Sequence, residues 1–204
     1  SQLENKVSLI SFLVISILLA LLVLKNFNQN ILINTILISS ALYLFFITMR
    51  DFFIKKYKNI SQNIAHFGFS LLILSILFNN LFASEIITNL KVGETFENSK
   101  TKIIFESVNQ KKEQNYNSII ANFFISNLKG EEEKFSPELR IYNQPIIATS
   151  EADIKTTLIS DKFIVINLVQ NQDFFNVRYQ VKPFMLWIWL SVILISFGGI
   201  ISFL

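Results

Sequence analysis

Four long apolar runs constrain this chain more than any other feature. Val7–Leu24, Ile31–Met49, Ile64–Ala83 and Phe184–Leu204 hold no Asp, Glu, Lys or Arg over 18, 19, 20 and 21 residues. At about 1.5 Å of rise per residue each makes a helix of about 27–32 Å, enough for a hydrocarbon layer of about 30 Å. All four are read as membrane-spanning helices. Val7–Leu24 is long for the apolar part of a signal peptide and lacks a small-x-small cleavage site, so it too is read as a span. Charged residues make up 16 % of the chain, against about 25 % in soluble domains, which fits the same reading.

The charges fall unevenly. Residues 1–83 carry six basic groups (Lys6, Lys25, Arg50, Lys55, Lys56, Lys58) and two acids (Glu4, Asp51), whereas residues 84–204 carry twelve basic groups and thirteen acids. The net charge of +3 therefore reports juxtamembrane lysines, and no nucleic-acid partner is expected. Four of the basic groups lie in the loop Arg50–Ser61, against one lysine in Lys25–Asn30. The positive-inside rule puts that basic loop and both termini in the cytoplasm, residues 84–182 outside, and Trp187 and Trp189 at the outer interface.

The outside segment reads as β. Phe175, Val177, Tyr179 and Val181 alternate with Asn176, Arg178 and Gln180, the period of a strand with one buried face. Lys162–Val169 and Thr101–Val108 are β-branched or aromatic runs of strand length. Asn117–Leu128 and Glu131–Phe135 flank Lys129-Gly130, which predicts a hairpin. The expected fold is thus membrane α + β: three transmembrane helices in 1–83 (7–24, 31–49, 64–83), a small antiparallel β domain over 84–182, and a fourth helix over 183–204.

Few residues are available for chemistry. The chain has no cysteine and one histidine, which excludes disulfides, thiolate sites and a multi-histidine zinc site. His66, in Ala65-His66-Phe67-Gly68, lies just inside the third predicted helix. Hydrocarbon offers an imidazole no partner, so it either ligates haem iron, bonds a neighbouring helix or reaches back to the interface. Gly68 leaves room beside it, and Ser70, four residues on, shares its face. Glu131-Glu132-Glu133 reads as a solvated face. Glu151 and Asp153 are two apart on a predicted strand, with no base or metal motif to accompany them. Gly198-Gly199 allows close helix approach, with clearance for haem as the other reading. No phosphate-binding loop, dinucleotide fingerprint or nucleophile elbow is present.

Several segments resemble one family. Lys182-Pro183-Phe184-Met185-Leu186-Trp187-Ile188-Trp189-Leu190, ending in Gly198-Gly199, is similar to the C-terminal segment of the cytochrome c maturation protein F (CcmF) family. Pro137-Glu138-Leu139-Arg140-Ile141-Tyr142, Ser150-Glu151-Ala152-Asp153-Ile154, Asp161-Lys162-Phe163 and Ala65-His66-Phe67-Gly68 match the family in order and spacing over about residues 62–204.

The resemblance implies a component of the haem lyase that joins haem to the Cys-x-x-Cys-His motif of apocytochrome c outside the bacterial inner membrane. It implies a periplasmic placement for residues 84–182, and as partners a covalent haem chaperone, apocytochrome c delivery subunits and membrane lipid. It also implies a b-type haem held between two transmembrane histidines, one of which His66 matches, with Gly68 beside it. The Trp-Trp-Asp haem-holding motif, the external histidine pair and the second transmembrane histidine of the family are absent from this sequence. The chain is therefore read as the C-terminal part of a CcmF-like protein, not competent as a lyase without an N-terminal CcmF-like portion. The alternatives are a structural membrane subunit whose β domain docks an assembly partner, or an extracytoplasmic sensor domain on a membrane bundle.

Overall fold

A computed structural model of the chain describes residues 2–25, 30–54, 60–127, 130–169 and 173–203. Lys55, Lys56 and Lys58 of the basic loop, most of the loop opposite, and Leu128 and Lys129 of the expected hairpin lie outside the described residues. The chain divides into two compact units, Ser1–Phe82 with Pro183–Leu204, and Ala83–Lys182.

The first unit is helical: α1 (Gln2–Leu24), α2 (Ile31–Ile54), α3 (Ile60–Phe82) and α4 (Met185–Ile201). Each is apolar around most of its circumference and free of internal proline, as expected of helices solvated by lipid. Helices α1, α2 and α3 are long and apolar enough to cross a membrane. With 17 residues, α4 is shorter than the predicted run. Strand geometry continues through Pro183, and Phe184 precedes the helix in a left-handed conformation with φ 61. Only at Met185 does the helix begin.

Among the described residues, α1 packs on α2, α2 on α3 and α3 on α4. Small and aliphatic residues fill the seams: Ala20 and Leu24 of α1, Ile38, Ala41 and Leu42 of α2, and Leu74 of α3 form one buried cluster. Without a hydrophobic drive between helices in lipid, close packing and interhelical hydrogen bonds hold such seams. Thr48 of α2 and Ser70 of α3 share a buried hydroxyl–hydroxyl bond of 2.8 Å. At the other end of α3, Asn79 Nδ2 donates to the Pro183 carbonyl at 2.5 Å.

The second unit is an antiparallel β sandwich. Its strands are β1 (Ser84–Leu90), β2 (Thr95–Glu97), β3 (Thr101–Lys112), β4 (Tyr116–Asn127), β5 (Glu132–Phe135), β6 (Glu138–Asn143), β7 (Ile146–Glu151), β8 (Asp153–Thr156), β9 (Ser160–Leu168) and β10 (Phe175–Pro183). One sheet runs β1-β10-β9-β8; the other runs β2-β3-β4-β6-β7, with β5 also paired to β4. The inward faces meet in a core of Leu90, Ile103, Phe105, Ala121, Phe123, Ile125, Phe135, Leu139, Ile164, Ile166, Val177 and Tyr179. Phe105 and Phe123 stack at 4.4 Å between centroids, and Phe175 meets Phe105 edge-on at 5.5 Å. Strands β4 and β5 pair from Phe123↔Phe135 to Ser126↔Glu132, and Gly130 between them takes φ 76, which glycine adopts without a Cβ penalty.

In β10 the alternation holds for Val177 and Tyr179, which are buried, and Arg178, which is exposed. Gln180 breaks it: the side chain is buried, and its amide donates to Glu85 of β1 at 2.6 Å. That bond, with the Arg178 guanidinium beside it, holds the Glu85 carboxyl below the usual carboxylate range.

Burial pushes the Tyr179 phenol up to about 12, with the Glu133 carboxylate adding to the effect. A phenol raised in the folded state contributes its stability below pH 10.0, its ordinary value, and loses it as the pH climbs to about 12. Two pKa units correspond to about 2–3 kcal/mol. The full chain in detergent should therefore lose β structure over that interval by circular dichroism, and Tyr179→Phe should flatten this alkaline limb while leaving neutral stability nearly unchanged.

Candidate functional site around His66

His66 lies in the second turn of α3, and its side chain is exposed at the surface of the helical unit. Gln62, Phe69, Ile76 and Asn80 are exposed as well, at spacings of four, three, seven and four residues that place them with His66 on one stripe of the helix. Among the described residues the imidazole has no hydrogen-bond partner. Phe67, next in sequence, turns towards α2, with its ring 5.6 Å from Phe45 and 5.9 Å from Phe52. The shared bond between Thr48 and Ser70 fixes the register of α2 against α3 at this depth.

Ser70 is expected on the face of His66, but it is fully buried. Its hydroxyl also bonds the Phe67 carbonyl at 2.8 Å. Four residues advance a helix by 40° more than a full turn, enough to carry Ser70 into the α2–α3 seam. Gly68 is buried against α4, where an added Cβ would lie 3.0 Å from Ile195 Cγ1, the Ile195 backbone nitrogen and Leu194 Cβ. The room beside this glycine is thus occupied by α4. Gly198 of α4 makes the matching approach: an added Cβ would lie 2.7 Å from the Ala65 backbone nitrogen and 2.8 Å from the Ser61 carbonyl oxygen, while Gly199 faces open space. Gly68 and Gly198 therefore set how closely α3 and α4 pack on either side of Ala65-His66.

The acidic candidates of the β sandwich do not converge. Glu131 and Glu132 are exposed, and Asn127 Nδ2 donates to Glu131 at 2.9 Å. Glu133 is not part of a solvated face: it pairs with Lys162 across the two sheets. Asp153 accepts the Ser136 backbone N–H at 2.6 Å, and Glu151 lies 3.8 Å from Arg140. Both fasten the crossing from β7 to β8. Arg140 is not among the candidates drawn from the sequence, yet it organises the outer face of its sheet. It bonds Glu138 at 3.0 Å, depressing that carboxyl, and lies 5.2 Å from the Tyr116 ring centroid. Its sequence signals are its place in the family-like segment Pro137–Tyr142 and the i, i+2 spacing of Glu138 and Arg140, which puts both on one face of a strand. Among the described residues no group of three or more His, Asp or Glu could hold a metal ion.

A group needing one protein nitrogen is a different case. An accessible imidazole without a competing partner, on an apolar helix and with an aromatic ring one turn away at Phe69, has the donor chemistry of an axial haem ligand. His66 is the one histidine of the sequence, so one copy of the chain offers a single imidazole.

Three helices long and apolar enough to cross a membrane and, among the described residues, an antiparallel sandwich of ten strands define a membrane-type helical unit in one chain with a β domain. The family described as the CcmF C-terminal beta-sandwich matches residues 81–183, half of the chain. The chain belongs to the CcmF family. It is 24 % identical over 141 residues to the cytochrome c-type biogenesis protein CcmF of Pseudomonas aeruginosa, covering 69 % of this chain and 22 % of that protein. It is 33 % identical over 112 residues to the cytochrome c-type biogenesis protein ccl1 of Rhodobacter capsulatus, covering 55 % of this chain and 17 % of that one. A solved structure of cytochrome c heme lyase CcmF shares the fold with a TM-score of 0.67 at 16 % identity, over 97 % of this chain and 34 % of that one. The chain thus spans about a fifth of the length of these curated relatives.

Proposed function

We propose that this chain acts in cytochrome c biogenesis at the inner membrane as the C-terminal part of a CcmF-like haem lyase, with His66 as one axial ligand of a transmembrane b-type haem. The observation that carries the reading is His66 itself. It is an exposed imidazole without a hydrogen-bond partner among the described residues, on a helix long and apolar enough to span a membrane, in a chain of the CcmF family. Ionisable groups within the membrane pair with protein or line a functional site, and this one has no pair of its own among the described residues. Gly68 serves the site indirectly, by seating α3 against α4 so that His66 stays turned outward. When bound, the haem supplies one-electron chemistry; the chain contributes the nitrogen, the apolar wall around it and the seam that orients it. The second ligand and the surface that holds the haem being transferred come from an N-terminal CcmF-like portion. A haem chaperone and apocytochrome c delivery subunits are the further partners.

The topology that goes with this reading has all four helices crossing the membrane, both termini in the cytoplasm and residues 84–182 in the periplasm. A reporter active only after export should work when fused after Gly130, and a cytoplasmic reporter when fused after Leu204; the opposite pair of results would exclude the arrangement. For the haem itself, the chain should be purified alone and with a co-expressed N-terminal CcmF-like polypeptide. A low-spin bis-imidazole spectrum is expected from the pair and not from the chain alone. A haem-free pair, purified in stoichiometric amounts, refutes the proposal.

A further inference from the structure

One end of the sandwich carries polar residues at core positions. Strand side chains alternate between faces, so the register that turns Phe135 and Ile164 into the core also turns Glu133 and Lys162 inward, two residues earlier on β5 and β9. Charges drawn between two sheets cost free energy unless they pair, and these two pair with each other. Tyr179 of β10 joins them. It is 6 % exposed, and its ring meets Phe135 edge-on at 6.0 Å between centroids. The hydroxyl is the part that feels the Glu133 carboxylate, yet it makes no hydrogen bond among the described residues. Polar groups buried this deeply ordinarily have a partner.

Glu133, Lys162 and Tyr179 line one cavity of about 130 Å³, with walls from both sheets. Ile125 and Val181 make its apolar side, Thr101 adds a hydroxyl, and Glu131 stands exposed at the rim. With Lys162 engaged by Glu133, the lining keeps the negative charge of Glu131, whose Oε2 accepts only from the neutral amide of Asn127 among the described residues. An anion would add to that charge, and a neutral ligand would leave it uncompensated. A cation balances it. A water takes about 30 Å³ in the liquid, so the space suits a short aliphatic stem with one small polar head.

We propose that this cavity binds a primary ammonium group on a short aliphatic stem. The stem lies against Ile125 and Val181; the ammonium donates to the Tyr179 oxygen and to the carboxylates of Glu131 and Glu133. That is the chemistry of a lysine side chain on a partner polypeptide, or of a free alkylamine. The inference concerns the β unit alone and is independent of haem and of membrane topology.

The test is calorimetric titration of the full chain in detergent, each run against a matched detergent blank, with n-butylammonium, n-butanol and butyrate as probes. n-Butylammonium should bind saturably, and the neutral and anionic probes at least about tenfold more weakly. Tyr179→Phe keeps the ring and Glu131→Gln changes an exposed side chain, so both variants should fold; each should weaken n-butylammonium about tenfold, the loss of one hydrogen bond to a charged group. Glu106→Gln removes the same charge from an exposed position on β3 outside the cavity and should leave the affinity unchanged. An acetyl-glycyl-lysyl-glycinamide peptide separates the sources: tighter binding than n-butylammonium assigns the site to a polypeptide lysine, and equal or weaker binding assigns it to a free amine. Absence of saturable n-butylammonium binding, equal binding of n-butanol or butyrate, full affinity in Tyr179→Phe or Glu131→Gln, or an equal loss in Glu106→Gln overturns the proposal.

Discussion

If the proposed haem site is right, His66→Ala co-expressed with an N-terminal CcmF-like polypeptide is expected to lose the bis-imidazole absorbance completely while the chain accumulates and assembles as before. The contrast arises from where the residue sits. Its side chain is exposed on α3 and holds no hydrogen bond among the described residues, so truncation leaves no cavity and no orphaned partner, and surface truncations of this kind change stability by about 0.5 kcal/mol or less. Its loss as a ligand, by contrast, removes the one nitrogen this chain has to offer to iron. His66→Met supplies a thioether at the same place and should retain part of the haem at a raised potential, since axial-ligand identity is a main control of haem potential. Optical spectra and a potentiometric titration of the assembled complex read both outcomes. A normal bis-imidazole spectrum at full occupancy in His66→Ala would assign the ligand to another residue.

Gly198→Leu is expected to be the most disruptive substitution in the helical unit. The first added carbon already lies 2.7 Å from the Ala65 backbone nitrogen and 2.8 Å from the Ser61 carbonyl oxygen. Both are backbone atoms and cannot rotate away, so α3 and α4 must separate; overpacking of this kind costs about 1–3 kcal/mol or more. Gly199→Leu, one residue on, meets nothing within 4 Å and serves as the matched control. Denaturation in mixed micelles should show a clear loss of resistance for Gly198→Leu and little change for Gly199→Leu. Haem occupancy should fall with the former too, because Ala65 is the immediate neighbour of His66.

Much of this architecture is legible in the residues, for reasons that also mark where legibility ends. Apolar runs reveal helices because lipid tolerates no charge, and the alternation in β10 reveals a buried strand face because side chains on a strand have period two. The length of α4 is not legible: Phe184 is as apolar as the helix it precedes, and only the left-handed turn after Pro183 moves the start of the helix to Met185. Gln180 sits inward against its pattern because Glu85, far away in sequence, supplies its partner. At the candidate site the sequence offers His66, Gly68 and Ser70 as neighbours, but it cannot say that one faces out, one meets α4 and one meets α2. That distinction depends on which helices flank α3, which no local pattern encodes. Glu133 reads as one of three solvated acids until Lys162 arrives from the other sheet.

The pairing of β1 with β10 has a consequence for timing. Along the whole of β1, from Ser84↔Val181 to Leu90↔Phe175, the partner is the last strand of the domain. The sheet of β2, β3, β4, β6 and β7 needs no such wait, since most of its strands pair with near neighbours in sequence. Short loops close before long ones. As the polypeptide is made, one half of the sandwich can assemble while β1 remains an unpaired edge. That edge is sealed only by the residues that lead directly into α4, so closure of the domain and the start of the last helix are consecutive moments in the life of the nascent chain.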